Sequence, residues 1–172
     1  MRYASLAIAV TLALAVLVPA GVLADDLQVR WEDVVGLIQI GNAVGTGTGT
    51  VVGAGQPWTT TGGSASVNLR NGDLHFRVQG LVLAGGNAIG TRGGIAQVKG
   101  TLVCDTDGGS GGNSVLVDSP PVPLSLQGDA EFNGTVQLPA VCLNQPDIAF
   151  LIRIVGGVTN DRWIANGAVR RP

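Results

Sequence analysis

One histidine, two cysteines and one tyrosine occur in 172 residues, and only 13% of the chain is charged. Each scarcity removes a class of chemistry. Any Ser-His-Asp or Cys-His device must use His75, the sole histidine. The nearest approach to a nucleophile elbow is Gly109-Ser110-Gly111, which lies in a glycine-rich stretch and not between a strand and a helix. A zinc site of nitrogen and sulfur ligands lacks donors for the same reason. The net charge is −2 and the only adjacent basic pair is Arg170-Arg171. Nothing there would neutralise a run of phosphates, so no nucleic-acid partner is expected. Helical periodicity is almost absent after residue 24, and so is any apolar run of bilayer length.

What the chain does have begins at its start. Met1-Arg2-Tyr3 carries one positive charge. Ala4 to Val18 is apolar apart from Ser5 and Thr11, Pro19-Ala20-Gly21 breaks the run, and Val22-Leu23-Ala24 offers a cleavage site. Residues 1–24 read as a signal peptide. Left uncleaved, Ala4 to Ala24 would be long enough to span a bilayer, but Pro19 and Gly21 interrupt it. The expectation is a single β domain over residues 25–172, secreted to an extracellular or periplasmic compartment, with no membrane span after cleavage. An exported chain with an even cysteine count pairs them, so Cys104–Cys142 reads as a disulfide.

The rest alternates in short runs between glycine, asparagine, aspartate and proline, the mark of strands and turns. The clearest element is a hairpin across Asn71-Gly72, read as a two-residue type I′ turn. That register sets Leu69 against Leu74, Val67 against Phe76 and Ala65 against Val78 on one face. Asn68 against His75 and Ser66 against Arg77 fall on the other. One face is apolar and the other polar. Leu27, Val29 and Trp31, then Val98, Leu102 and Cys104, then Ala130, Phe132, Val136 and Leu138 repeat the pattern. Carried onward, that last parity turns Cys142 inward. Val34 to Ile40 and Val115 to Val117 are further strand candidates. Asp147 to Val155 is apolar on both faces except at Arg153, as a central strand should be. Trp163, Ala165 and Val169 are expected to face inward from a last strand. The fold class is all-β, an antiparallel β-sandwich of immunoglobulin-like or jelly-roll-like outline, with a closed barrel as the alternative.

Candidate sites are few. Gly41 to Gly63 and Asp105 to Asn113 are irregular and expected at the rim, where binding residues gather. Trp58, in the first stretch, is the candidate ligand-binding residue, because exposed indoles hold sugar rings and flat apolar groups. In the second, Asp105, Asp107 and Asn113 supply oxygens suited to Ca²⁺. That loop resembles the start of an EF-hand loop and one copy of a calcium-binding nonapeptide repeat. Leu116 stands where the EF-hand glutamate belongs. Asp129 and Glu131 project at i, i+2 and would be the carboxylate pair of a glycoside hydrolase, on a face that reads as solvated. Pro120-Pro121-Val122-Pro123 reads as a polyproline crossover or an edge strand.

The functional expectation is a secreted, non-enzymatic binding or display module whose ligand is a glycan, a surface polymer or a protein. One alternative is a structural component of the cell envelope. The other is a carboxylate-based extracellular hydrolase.

Overall fold

The computed structural model describes residues 27–143 and 147–171. The leader assigned to residues 1–24 lies outside the described residues. Long strands are β1 (Gln28–Gly36), β5 (Gly62–Asn68), β6 (Asp73–Gln79), β8 (Gln97–Cys104), β11 (Ala130–Thr135), β12 (Ile148–Val155) and β13 (Trp163–Arg171). Short ones are β2 (Ala43–Val44), β3 (Val51–Val52), β4 (Trp58–Thr59), β7 (Val82–Leu83), β9 (Val115–Asp118) and β10 (Val122–Pro123). The all-β, antiparallel reading holds. One sheet runs β10-β8-β12-β13-β1-β5-β6-β11, with β9 also on β8. Two small sheets, β2-β3 and β4-β7, lie beside it.

The large sheet curls on itself. β6 and β12 have β5, β1 and β13 between them, yet the rings of Phe76 and Phe150 stand 5.5 Å apart. Trp31 lies 5.7 Å from Phe150 and Phe132 lies 6.0 Å from Phe76. The two halves of one sheet thus serve as the two layers, and the aromatic chain fills the space between them. Gly100 in β8 makes room for it: a Cβ there would stand 2.7 Å from Phe76 Cε1. The margins of this half-barrel are tied at both ends. At one, the turn from β10 to β11 closes with Ser125 N–H donating to Asp129 O at 2.9 Å. At the other, Cys104 of β8 is bonded to Cys142, on the short 3₁₀ turn after β11.

β12 is central, between β8 and β13, with every residue from Phe150 to Ile154 buried. Val122–Pro123 is the edge strand that its prolines suggest.

Three sequence expectations need correction. First, the β5–β6 hairpin sets Ala65 against Phe76 and Val67 against Leu74, two residues from the expected register. The turn has four residues rather than two, closed by Gly72 N–H donating to Asn68 O at 2.8 Å. A shift of two conserves faces, so Ala65, Val67, Leu69, Leu74, Phe76 and Val78 are all buried. Second, Val34 to Ile40 is not one strand. β1 stops at Gly36, and Ile38 and Ile40 are exposed. Third, Trp163 and Ala165 do not share a face. A bulge pairs Ile152 with Ala165 but Arg153 with Trp163. Trp163 therefore lies on the outer face, where its indole N–H donates to Asn42 O at 3.0 Å. Val169 is exposed, with φ of 49°.

Candidate functional site

Antiparallel strands bring five connections to one end of the half-barrel. They are residues 37–42 after β1, 53–61 before β5, 80–96 before β8, 124–129 between β10 and β11, and 156–162 after β12. Asp129, Asp161 and Arg162 stand where these connections run into β11 and β13, and Arg92 is the only other charged residue on them. It faces inward to the fold's own needs, donating through Nη1 to Ile95 O at 2.9 Å and Leu124 O at 2.7 Å.

Trp58 occupies this end. It was expected at the rim as an exposed indole. Instead it is 4% exposed and belongs to the core. Its N–H donates to Leu37 O at 2.7 Å, and its backbone passes under Gly36, where a Cβ would collide with the Trp58 carbonyl. With Leu83, Ile95 and Ile154 it lines a depression of about 340 Å³, bordered by Gly55, Gln56, Arg92, Gly94 and Thr159. A groove of about 460 Å³ along Val155–Thr159 shares Gly94, Ile95 and Thr159 with it. Among the described residues, five of the seven exposed large apolar side chains sit on the same connections: Ile38, Ile40, Ile89, Leu126 and Val158.

The loop from Asp105 to Asn113 follows the last residue of β8, at the opposite end from the depression. It does not share a rim with Trp58. Asp105 is 1% exposed, with φ of 56°. Its Oδ2 accepts from Ser110 N–H at 3.0 Å and its carbonyl accepts from Ser114 Oγ at 2.8 Å. Asp107 is exposed, and its Oδ1 accepts from Gly109 N–H at 2.9 Å. Asn113 turns elsewhere: its Oδ1 accepts from Thr48 N–H at 2.9 Å and tethers the turn at Gly47–Gly49. The structure thus gathers two of the three expected cation donors.

The catalytic candidates do not assemble. His75 lies between Ser66 and Asn133 on the polar face. Its imidazole has no hydrogen-bond partner among the described residues. The neighbouring Asp73 is engaged by Asn71 Nδ2 at 2.7 Å and Thr135 Oγ1 at 3.1 Å. Asp129 and Glu131 are both exposed, and Asp129 Oδ1 accepts from Gly80 N–H at 3.0 Å. Neither has the apolar burial that raises a general acid.

One cluster was missed. Arg153 stood out in the sequence only as the exception in an apolar strand. On the outer face Lys99 Nζ lies 2.7 Å from Asp118 and 2.8 Å from Asp161. Arg153 lies 3.2 Å from each aspartate, and Thr101 Oγ1 donates to Asp118 Oδ1 at 2.6 Å. Burial alone would raise the Asp118 carboxyl. Hydrogen bonds from Lys99 and Thr101, with the charges of Arg153 and Lys99, outweigh it and hold the group below 3.8. Two cations and two anions balance, so the cluster has no surplus charge to offer a ligand.

Among the described residues no helix is long and apolar enough to cross a membrane. No protein-family model, no curated protein and no solved structure matches this chain.

Proposed function

We propose that this chain is an exported, non-enzymatic β module that binds a protein ligand outside the cell through its charge-poor end. The carrying observation is the concentration of exposed Ile38, Ile40, Ile89, Leu126 and Val158 around the Trp58 depression. Exposed apolar patches mark interaction surfaces. Interface cores are poor in charge, and so is this end. The depression suits one apolar side chain or ring of a partner. The Cys104–Cys142 bond supports an oxidising compartment.

A protein ligand fits better than a glycan. Sugar recognition uses exposed aromatic faces. Here Trp31, Trp58, Trp163, Phe76 and Phe150 are buried, and Phe132 packs against the core. The rim presents branched aliphatic side chains instead.

The test is binding of the full chain to intact cells of its source, before and after surface proteolysis. Binding should disappear after proteolysis. It should also fall at least tenfold in the Ile38→Asp/Ile89→Asp variant, where both side chains are already in water. Gly94→Phe should fill the depression, since nothing lies within 4 Å of a Cβ built there. Binding that survives proteolysis but yields to glycosidases would replace this reading with the glycan one. Self-association that the same variants abolish would make the partner a second copy.

A further inference from the structure

A buried carboxylate oxygen marks a site that the charge-poor end does not involve. Among the described residues, Asp105 Oδ1 is the one buried side-chain nitrogen or oxygen without a hydrogen-bond partner. Its companion Oδ2 is held by Ser110 N–H. An ionised carboxylate oxygen kept from water with no donor is costly, more so than a neutral group. Donors of Gly108, Gly109, Ser110, Gly111, Gly112 and Ser114 all lie around this loop, and each is directed to an acceptor other than Oδ1. What Oδ1 lacks is positive charge.

The second carboxylate is aimed at the same place. A Cβ built on Gly109 would stand 3.2 Å from Asp107 Oδ1 and 3.7 Å from Asp105 Oδ1. Glycine at 109 thus leaves open the space between the two aspartates. Lys99, the nearest cation in sequence, is engaged in the outer-face cluster, and Arg92, the next, donates to the Ile95 and Leu124 carbonyls. Among the described residues no side-chain cation forms a salt bridge with Asp105 or Asp107.

We infer that Asp105 and Asp107 hold a divalent cation of the Ca²⁺ class. The donors are hard oxygens, so thiolate- and imidazole-seeking metals are disfavoured. Main-chain carbonyls of a glycine-rich loop and water would complete a flexible shell, which Ca²⁺ accepts and Mg²⁺ does not. Asn113 is not a ligand, because Thr48 occupies it. Only two carboxylates contribute, so the affinity belongs to the range of extracellular modules, about 0.1–1 mM. The ion would lock the loop that starts at the disulfide and leans on the Gly47–Gly49 turn through Asn113 and Ser114.

The test uses CaCl₂ on the full chain with its disulfide intact, read by calorimetric titration and by the unfolding midpoint. One Ca²⁺ should bind with half-saturation at about 0.1–1 mM. The midpoint should rise with CaCl₂ and not with MgCl₂ at equal ionic strength. Asp107→Ala changes an exposed side chain and should weaken binding at least tenfold. Asp105→Asn should abolish it and raise the Ca²⁺-free midpoint, because the amide no longer carries charge into the interior. Absence of any Ca²⁺-specific shift, or Ca²⁺ binding unchanged by both substitutions, overturns the inference. Neither result bears on cell binding by Ile38→Asp/Ile89→Asp.

Discussion

Gly100→Ala should destabilise this protein, although alanine is normally the safer residue in a strand. Gly100 lies in β8 with its α-carbon turned to the interior, and its φ is not in the left-handed region. A methyl group there would meet Phe76 at 2.7 and 2.8 Å and Phe150 at 3.1 Å. Neither ring can retreat. Phe76 is packed between Phe132 and Phe150, and both Phe76 and Phe150 are fully buried. Overpacking of this kind costs about 1–3 kcal/mol. Against it, losing glycine's freedom in the unfolded chain returns about 0.5–1 kcal/mol. The net loss is about 1–2 kcal/mol, and at roughly 2–4 °C per kcal/mol the midpoint should fall by about 2–8 °C. Thermal and urea unfolding of the oxidised protein measure it. Gly55→Ala and Gly94→Ala are the controls. Nothing lies within 4 Å of a Cβ at either position, so both should stay within about 0.5 kcal/mol of the parent. Phe76→Leu should relieve Gly100→Ala, making the pair less destabilising than the sum of the singles by about 0.5–3 kcal/mol. If Gly100→Ala behaves like the controls, β8 does not face β6 across the interior, and the curled sheet is wrong.

Three further expectations follow from the same geometry. Replacing Cys104 and Cys142 by alanine frees a loop of sequence separation 38 and should cost about 4 kcal/mol in the chain-entropy estimate; a loss below about 1 kcal/mol would mean that the seam holds without its bridge. Asp118 has a folded pKa below 3.8. Its contribution is therefore complete above the ordinary carboxylate range and fades as pH falls through the folded value. The midpoint gap between the parent and Asp118→Asn should be constant near neutrality and close under acid; a gap that widens on acidification would contradict the assignment. Arg153→Met should destabilise more than Arg30→Met. Arg153 is buried among two aspartates, whereas Arg30 is exposed and bonded only to Gln28.

Faces were easier to read from this sequence than neighbours. Alternation placed Val67, Leu74 and Phe76 inward even though the hairpin register was wrong by two, because a side-chain period of two survives a shift of two. Asn71-Gly72 gave a turn but not its length. Gly72 also accepts from Val136 N–H, just after β11, a contact that the local sequence does not reveal. Parity failed where the backbone departs from it, at the bulge that separates Trp163 from Ala165. Nothing in the local pattern marks such a bulge. Trp58 looked like a loop residue because its strand has two residues, too few to alternate. Its burial comes from Leu37, Leu83 and Ile154, all distant in sequence. The ion cluster needed four residues between positions 99 and 161 brought to one face. The disulfide was legible, since two cysteines admit one pairing. Its role in clasping the seam was not.

β1 lies beside β13, pairing through Arg30 with Arg171 and through Gly36 with Ala165. The opening strand thus finds its inner neighbour only in the closing one. During synthesis the chain cannot join the two halves of its open sheet until the nine-residue β13 has left the ribosome. Until then it remains an unfinished ribbon with two unsatisfied margins. Such late, long-range closure delays folding, and delay keeps a polypeptide threadable. Trimming the tail back to Asp161 would strip both β1 and β12 of a partner at once, turning the middle of the sheet into two raw edges.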